Sequence, residues 1–460
     1  MSAVRSPLVI VAGIGLAASS VASAQDVSRE ELMRKLQSLR AKIEQIEAKQ
    51  QEPAQGAATD PRVVDETVAR VLQDADRRSR FLMQDVSITG GFDGERSKYF
   101  LASSDGNWLL MPGILFQLRN TTNFREGTKN GDDDLQNGFE IRRMRLFFEG
   151  TAFTPDLYYK FQWETNSSAG SVFLQDAFVR YTFAKDWGFQ VGQFYDVTYH
   201  EQSMLDPYTL AADRSLVNGL IGGGQSDRVQ GAMLIYDDKE HWRGQVVFHD
   251  GFNSDNTDFT DTSGGTPFVG VTPTDFGFSG RVEYFVTGTR KAYDDFTALN
   301  TKQDLLVVGG GFDYTDGNRG GVVFHTVDVQ YENPNGLGLY AAYLGTYRDI
   351  RSAGAALPPV GDFYDWGFLV QGSYLFTEKL EGFARYDFTK IDDDTLAAGA
   401  EDNVHEITVG VNYYFHRHNV KLTLDGTWLP NGSPIAVKGL GVLASDDNQF
   451  IFRGQFQLLI

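Results

Sequence analysis

From about residue 96 to the last residue, aromatic and aliphatic side chains alternate with polar ones in short segments, and no apolar run is long enough for a membrane helix. The final segment is the clearest. Phe450, Phe452, Gly454, Phe456, Leu458 and Ile460 fall on one face, and Arg453, Gln455 and Gln457 on the other. Period two is the repeat of a strand, so one face can meet lipid and the other water. Similar segments run over residues 110–119, 143–149, 157–164, 176–183 and 189–194. Downstream they cover 229–236, 242–249, 278–286, 337–347, 380–389, 407–415 and 421–428. Tracts of Gly, Asp, Asn, Ser and Thr lie between them, notably 131–137, 254–266 and 391–402. Long tracts alternating with tight turns predict an all-β fold: a transmembrane antiparallel β-barrel with loops at one end and short turns at the other. Some ~365 residues at roughly 23 per strand and connection give about 16 strands. A barrel that wide leaves an aqueous channel, whereas an eight-stranded one is filled by its own side chains.

Before residue 85 the pattern is different. Arg5 precedes an apolar stretch over residues 8–18 and the small-residue site Ala22-Ser23-Ala24, so residues 1–24 read as a secretory signal peptide. That stretch is too short to cross a bilayer. Leu32, Leu36, Leu39, Ile43 and Ile46 follow the spacing of an a/d seam, which makes residues 25–50 a short α-helical coiled-coil segment in the periplasm. The seam is short enough to need a larger assembly, and a solvated amphipathic helix is the alternative. Residues 51–84 read as a linker and short helix, with Asp60-Pro61 at its start and Val64, Val68, Val71 and Ala75 as its stripe. The barrel domain then spans residues 85–460.

The chain has no cysteine among its 460 residues, so an exported protein of this size must rest on a hydrogen-bonded framework rather than on disulfides. Its 34 Phe and 20 Tyr supply the outward faces of such a framework. The formal charge of -20 argues against a nucleic-acid partner. It does not argue against an anion pathway, because pore selectivity depends on a few lumen side chains.

The run Gly138-Phe139-Glu140-Ile141-Arg142-Arg143-Met144-Arg145-Leu146, closing at Glu149-Gly150, resembles an arginine-rich early strand of the phosphate-selective porin O and P family of bacterial outer membranes. Ser104-Asp105-Gly106-Asn107, Leu174-Gln175-Asp176-Ala177-Phe178-Val179, Val191-Gly192-Gln193-Phe194 and Arg214-Ser215-Leu216-Val217-Asn218 also match its pattern. These motifs lie in order between residues 90 and 220, and the downstream half matches only as barrel pattern. The resemblance implies a 16-stranded, water-filled, homotrimeric porin, often with an N-terminal helical segment in the periplasm, with phosphate as a permeant. Ile460 departs from the Phe that usually ends such barrels, which bears on the assembly signal.

With Met144, Leu146 and Phe148 facing lipid, Arg143 and Arg145 turn inward. The same test turns Lys160 inward against Tyr159, Phe161 and Trp163, and Arg180 inward against Val179, Tyr181 and Phe183. Arg119 falls opposite Ile114, Phe116 and Leu118, while Arg214 lies in a nonalternating tract that reads as either an inward-folded constriction loop or a surface loop. Lumen cations lower the barrier for anions, and guanidinium groups suit phosphate oxygens. Glu149, Glu164 and Asp176 share the inward faces, however, so pairing across a polar wall, as in a general porin, is the rival expectation.

Other motifs have bland readings. His416-Arg417-His418 is expected to be an exposed turn rather than a metal site. The acidic tracts 132–134, 392–394 and 446–447 read as solvated loops before they read as cation bridges to lipid headgroups. Gly309-Gly310-Gly311 lacks the Lys-Ser or Lys-Thr of a phosphate loop and reads as a bend or a close approach. With no nucleophile elbow or metal-protease helix, no catalytic site, cofactor or metal is expected. The expected activity is passive diffusion of small hydrophilic solutes or anions across the outer membrane. A tether whose stalk engages the cell wall is the alternative, and the continuous outward aromatics disfavour a secreted glycan-binding protein.

Overall fold

The computed structural model describes residues 87–460 apart from 95–97, 126–134, 166–169, 223–227, 253–273, 353–358 and 398–399. The expected signal peptide, coiled coil, linker and short helix lie outside the described residues, as does the acidic tract 132–134. Strands β1 (Ile88–Asp93) and β2 (Lys98–Ser103) form an antiparallel hairpin that meets β3 (Leu109–Arg125) through Leu101 and Ala102. The barrel continues with β4 (Leu135–Ala152), β5 (Thr154–Thr165), β6 (Val172–Ala184), β7 (Trp187–Tyr195) and β8 (Arg228–Asp237). Next come β9 (Trp242–His249), β10 (Thr274–Thr287), β11 (Leu305–Gly317), β12 (Gly320–Glu332) and β13 (Leu337–Ile350). The last are β14 (Gly361–Thr377), β15 (Leu380–Lys390), β16 (Asn403–His416), β17 (Val420–Leu429) and β18 (Gln449–Leu459).

From β3 each strand pairs antiparallel with the next, and β18 returns to β3, which closes a 16-stranded barrel. Ile460 extends the closing seam by exchanging backbone hydrogen bonds with Ile114 at 2.9 and 3.0 Å. The divergent terminal side chain therefore leaves the seam intact, because closure there uses only backbone. A closed barrel has no unpaired edge, which is what a lipid surround requires.

Every segment named from its alternation lies within an observed strand, and β18 shows why: Arg453, Gln455 and Gln457 are buried inside, while Phe450, Phe452 and Phe456 are exposed outside. Strands β12 and β14 fall outside the segments named from alternation, and part of each lacks such a signal. On β12, Val322 and Phe324 face inward and Val327 and Val329 outward; on β14, Phe363 and Leu369 face inward and Tyr364 and Val370 outward. Where both faces are apolar the period-two contrast cancels, although Thr326, Asp328, Gln330 and Glu332 on β12 and Asp365, Gln371 and Ser373 on β14 keep the rest of each inner face polar. The expectation of a polar inner face throughout is thus corrected, because the inner wall of β12–β18 contributes to one buried apolar cluster.

Connecting segments complete that cluster, among them the 435–442 stretch with Leu440 and Val442 and two others that fold inward. One is residues 196–222, which leave β7 and contribute Leu210, Leu216, Val217, Leu220 and Ile221. The other is residues 288–304 between β10 and β11, which correct the expectation that connections at this end are tight. Glu378 and Lys379 alone join β14 to β15, but the β10–β11 stretch contains a helical turn over Arg290–Tyr293 and buries Ala292, Tyr293, Phe296 and Ala298. His418 corrects a third expectation. His416 and Arg417 are exposed, but His418 is buried edge-on to the rings of Tyr208 and Tyr414 at 4.9 and 5.4 Å, with Asp295 3.4 Å away.

Candidate functional site: the constriction

Residues 196–222 form an inward-folded loop, which settles the open reading of the tract around Arg214. The loop follows the inner wall. The Thr198 carbonyl accepts from Thr326 Oγ1 at 2.8 Å, and a Cβ on Gly311 would lie 2.2 Å from that same oxygen, so the glycine run marks a close approach. His200 stacks on Tyr293 with ring centroids 3.9 Å apart, joining the two infolded segments. The Leu216 and Val217 N–H groups donate to Glu406 and Asp387 at 2.8 and 3.1 Å, and the Ala212 N–H donates to Asp425 at 2.8 Å. Lys421 donates to the carbonyls of Pro207 and Thr209, and Arg385 to those of Asp213 and Arg214. Irregular backbone inside a barrel needs partners of this kind, so the wall's buried charges serve the loop's peptide groups.

On the β3–β4 side the loop presents two aspartates to an arginine cluster. Asp213 accepts from Arg119 at 3.0 Å, Arg142 at 2.8 Å and Arg143 at 3.0 Å. Asp206 meets Arg143 at 3.0 Å, Arg214 at 2.5 Å and Arg145. Burial pushes both carboxyls up, but the surrounding guanidinium groups outweigh it and hold both well below the usual carboxylate range. Arg145 also pairs with Glu164, and Arg119 with Glu140 at 2.5 Å.

Arg142 was not among the residues predicted to face the lumen. Alternation sends it to lipid, but the pairing with β3 slips by one residue between Gln117–Arg143 and Leu118–Ile141. This bulge sets Arg142 and Arg143 side by side on the inner face, and nothing in the run of residues announces it. Of the predicted set, Arg119, Arg143, Arg145 and Arg214 converge on the two loop aspartates. Arg214 also braces the loop by donating to the carbonyls of Glu201, Gln202 and Met204. Lys160 and Arg180 lie apart from them on the wall. Lys160 pairs with Asp176 at 2.7 Å, which Arg228 also engages at 2.7 Å, while Arg180 donates to Gln190 at 2.9 Å.

A cavity of about 570 Å³ remains between the loop, strands β4–β6 and residues 435–440 of the β17–β18 connection. Six cationic residues line it, Arg142, Arg143, Arg145, Arg214, Arg228 and Lys438, against three carboxylates, Glu164, Asp206 and Asp213. The wall therefore keeps an excess of positive charge even though its arginines are paired.

One buried cluster, Asp196, His249 and Asp313, has the residue types of a cation site. Asp196 and the Nδ1 atom of His249 are already engaged by protein donors. The Gly251 N–H donates to His249 Nδ1 at 3.0 Å, which leaves the ring proton on Nε2, 2.8 Å from Asp313 Oδ2. Both Asp196 oxygens already accept, from Val197 N–H, Ser279 and Thr198. The cluster ties the start of the loop to β9, β10 and β11.

Residues 117–296 match the family model of phosphate-selective porin O and P. Among solved structures the fold is similar to OmpF of Salmonella typhi, in a complex with daunomycin, at 16% identity and a TM-score of 0.52 over 76% of this chain and 98% of that one. It is similar to the anion-selective porin from Comamonas acidovorans at 13% identity and a TM-score of 0.51 over 76% and 99%. Pseudomonas putida OprB gives 10% identity and a TM-score of 0.51 over 76% and 94%. Likeness at such identities is a likeness of fold. No curated protein matches the sequence.

Proposed function

We propose that this outer-membrane porin of the phosphate-selective porin O and P family admits small anions, phosphate among them, in preference to cations, and that the cavity beneath residues 196–222 is where it discriminates. The family match and the closed barrel make the chain a channel through which solutes diffuse down their gradients. Nothing in the fold or the likenesses favours the alternative of a cell-wall tether. Anion preference is supported by one observation above the others, the six cations against three carboxylates around the opening.

The chemistry is that of passage rather than turnover. A hydrated anion exchanges part of its water shell for guanidinium N–H donors at Arg142, Arg143 and Arg145, where the charge and fork geometry suit an oxyanion. Asp206 and Asp213 share those donors, which keeps binding weak enough for release. Association as a homotrimer and the division of residues 1–84 into signal, coiled coil and linker belong to the same reading and rest on the sequence pattern and the resemblance.

The test is reconstitution in a planar bilayer under a potassium chloride gradient, followed by titration with phosphate. A reversal potential on the chloride side and a chloride current that falls as phosphate is added support the reading, and both effects are expected to shrink in Arg142→Gln/Arg143→Gln. Equal or cation-favouring permeability overturns it.

A further inference from the structure

The infolded loop meets the inner wall of β7–β9 at its start, where Val197 joins Phe194, Val229, Met233 and Val247, and the wall around Arg180 differs in composition from the cavity. Arg180, on β6, lies five residues beyond the cavity-lining Gln175, about 17 Å nearer the short-turn end. It forms no ion pair among the described residues. Its Nε donates to Gln190 Oε1 at 2.9 Å, and its two terminal nitrogens meet no protein acceptor there. The nearby carboxylates already have cations: Glu149 pairs with Lys98, and Asp176 with Lys160 and Arg228.

The surroundings of Arg180 are aromatic. Its guanidinium lies 5.9 Å from the ring centroid of Tyr158 and 5.8 Å from that of Phe178, both half-buried. Those rings are 6.1 Å apart, and Phe178 is in turn 6.3 Å from Phe194. Beside Phe178 the inner faces of β7–β9 form a separate apolar patch, with Met233, Ile235 and Val247. At the other end of this wall Tyr195 lines the cavity, and Arg228 sits 3.9 Å from its ring centroid. Arginine–aromatic pairs thus recur from the cavity toward the short-turn mouth.

We propose that Arg180, Tyr158 and Phe178 form a subsite for organic carboxylates with a flat apolar body, a step that such solutes take after the cavity. The free edge of the guanidinium accepts the carboxylate in its fork, and the rings receive the apolar body by stacking. Inorganic phosphate uses only the first of these contacts, so the subsite ranks anions by their carbon skeleton. The inference rests on the anion preference proposed above and adds a substrate class to it.

The experiment measures permeability of benzoate relative to acetate from bi-ionic reversal potentials, each channel serving as its own reference so that insertion number and folding yield cancel. Benzoate is expected to exceed acetate despite its larger size. Arg180→Gln is expected to lower the benzoate permeability about tenfold, the factor that one charged hydrogen-bond partner commonly carries, and acetate much less. Phe178→Ala is expected to lower benzoate and leave acetate as it was, and Arg180→Lys to fall between wild type and Arg180→Gln. A benzoate-to-acetate ratio at or below one in the wild type, or equal losses of both ions in Arg180→Gln, overturns the subsite. Failure of the underlying reading looks different, since the wild-type channel would then prefer potassium over chloride before any organic anion is added.

Discussion

Along β12–β18 part of the barrel's inner wall packs like the core of a globular protein. Val322, Phe324, Leu344, Leu369 and Ile451 share one apolar cluster with Leu216, Val217 and Ile221 of the loop, and the carboxylates of Glu406 and Asp387 are occupied by loop N–H groups. Along β4–β6 the equivalent inward positions hold Arg143, Arg145, Lys160 and Arg180, and the loop leaves a cavity rather than a seal. The two regions share one sheet, one hydrogen-bond pattern and one alternation. What separates them is which wall the loop was built to cover: apolar and hydrogen-bonding partners on one side, mutually repelling guanidinium groups bridged by Asp206 and Asp213 on the other. A channel of this design is set by where its lumen is filled as much as by strand number.

Removing the loop breaks the comparison most completely. Tyr195 and Arg228 are register partners, so a short turn can join β7 to β8 in place of residues 196–227. Single-channel conductance is expected to rise several-fold and ion preference to collapse toward that of bulk water, because a barrel of 16 strands otherwise leaves an open channel. Bilayer recordings with unchanged conductance would mean that some other element limits passage.

Asp213→Asn sharpens the contrast from the other side. It leaves Arg119, Arg142 and Arg143 facing a neutral amide, and breaking buried charge pairs of this kind costs about 3–5 kcal/mol. A lower unfolding midpoint in detergent and a larger chloride-to-potassium permeability ratio are expected together. An unchanged ratio would show that the cavity's charge excess does not govern selectivity. On the covered wall, Leu216→Ala is expected to cost about 2–5 kcal/mol by denaturant unfolding, since that side chain is 0% exposed in a dry cluster. Phe178→Ala, on the open wall, should cost less because its ring is only half-buried. Equal costs would mean that the two walls are packed alike.

The same comparison explains how much of the molecule its amino-acid order reveals. The barrel was legible from strands such as β4, β6 and β18, whose two faces differ in polarity. Strands β12 and β14 were less so, because Val322, Phe324, Phe363 and Leu369 put apolar side chains on their inner faces to meet a loop about 100 residues or more earlier in the chain, although residues 326–332 alternate cleanly. Lumen-facing Arg143 and Arg145 were likewise legible from one strand alone, whereas Arg142 depends on a bulge and the acidic partners Asp206 and Asp213 on the path of a nonrepeating segment. The buried face of residues 288–304 had a signal in Tyr293, Phe296 and Ala298, since apolar residues are out of place in a solvated turn, but periodicity does not detect it.

The smallest expected effect lies where that segment meets the open wall. Asp294 keeps its carboxyl open to solvent while protein surrounds it on its other sides, and this burial is the main cause that pushes it up to about 6. Arg243 pulls the other way, and Asp295 and Glu283 add to the upward push. Below pH 6 the carboxyl is neutral, and above it the group is an anion close to Arg243, so the short-turn end of the open wall loses one net positive charge as pH rises. The chloride-to-potassium permeability ratio should therefore fall between pH 5 and pH 7, by less than about twofold because salt screens an exposed charge beyond roughly 8–10 Å. Asp294→Asn should flatten that dependence and hold the ratio at its acidic value. A ratio that rises with pH would contradict the sign, and a fall that persists in Asp294→Asn would assign the titration to another group.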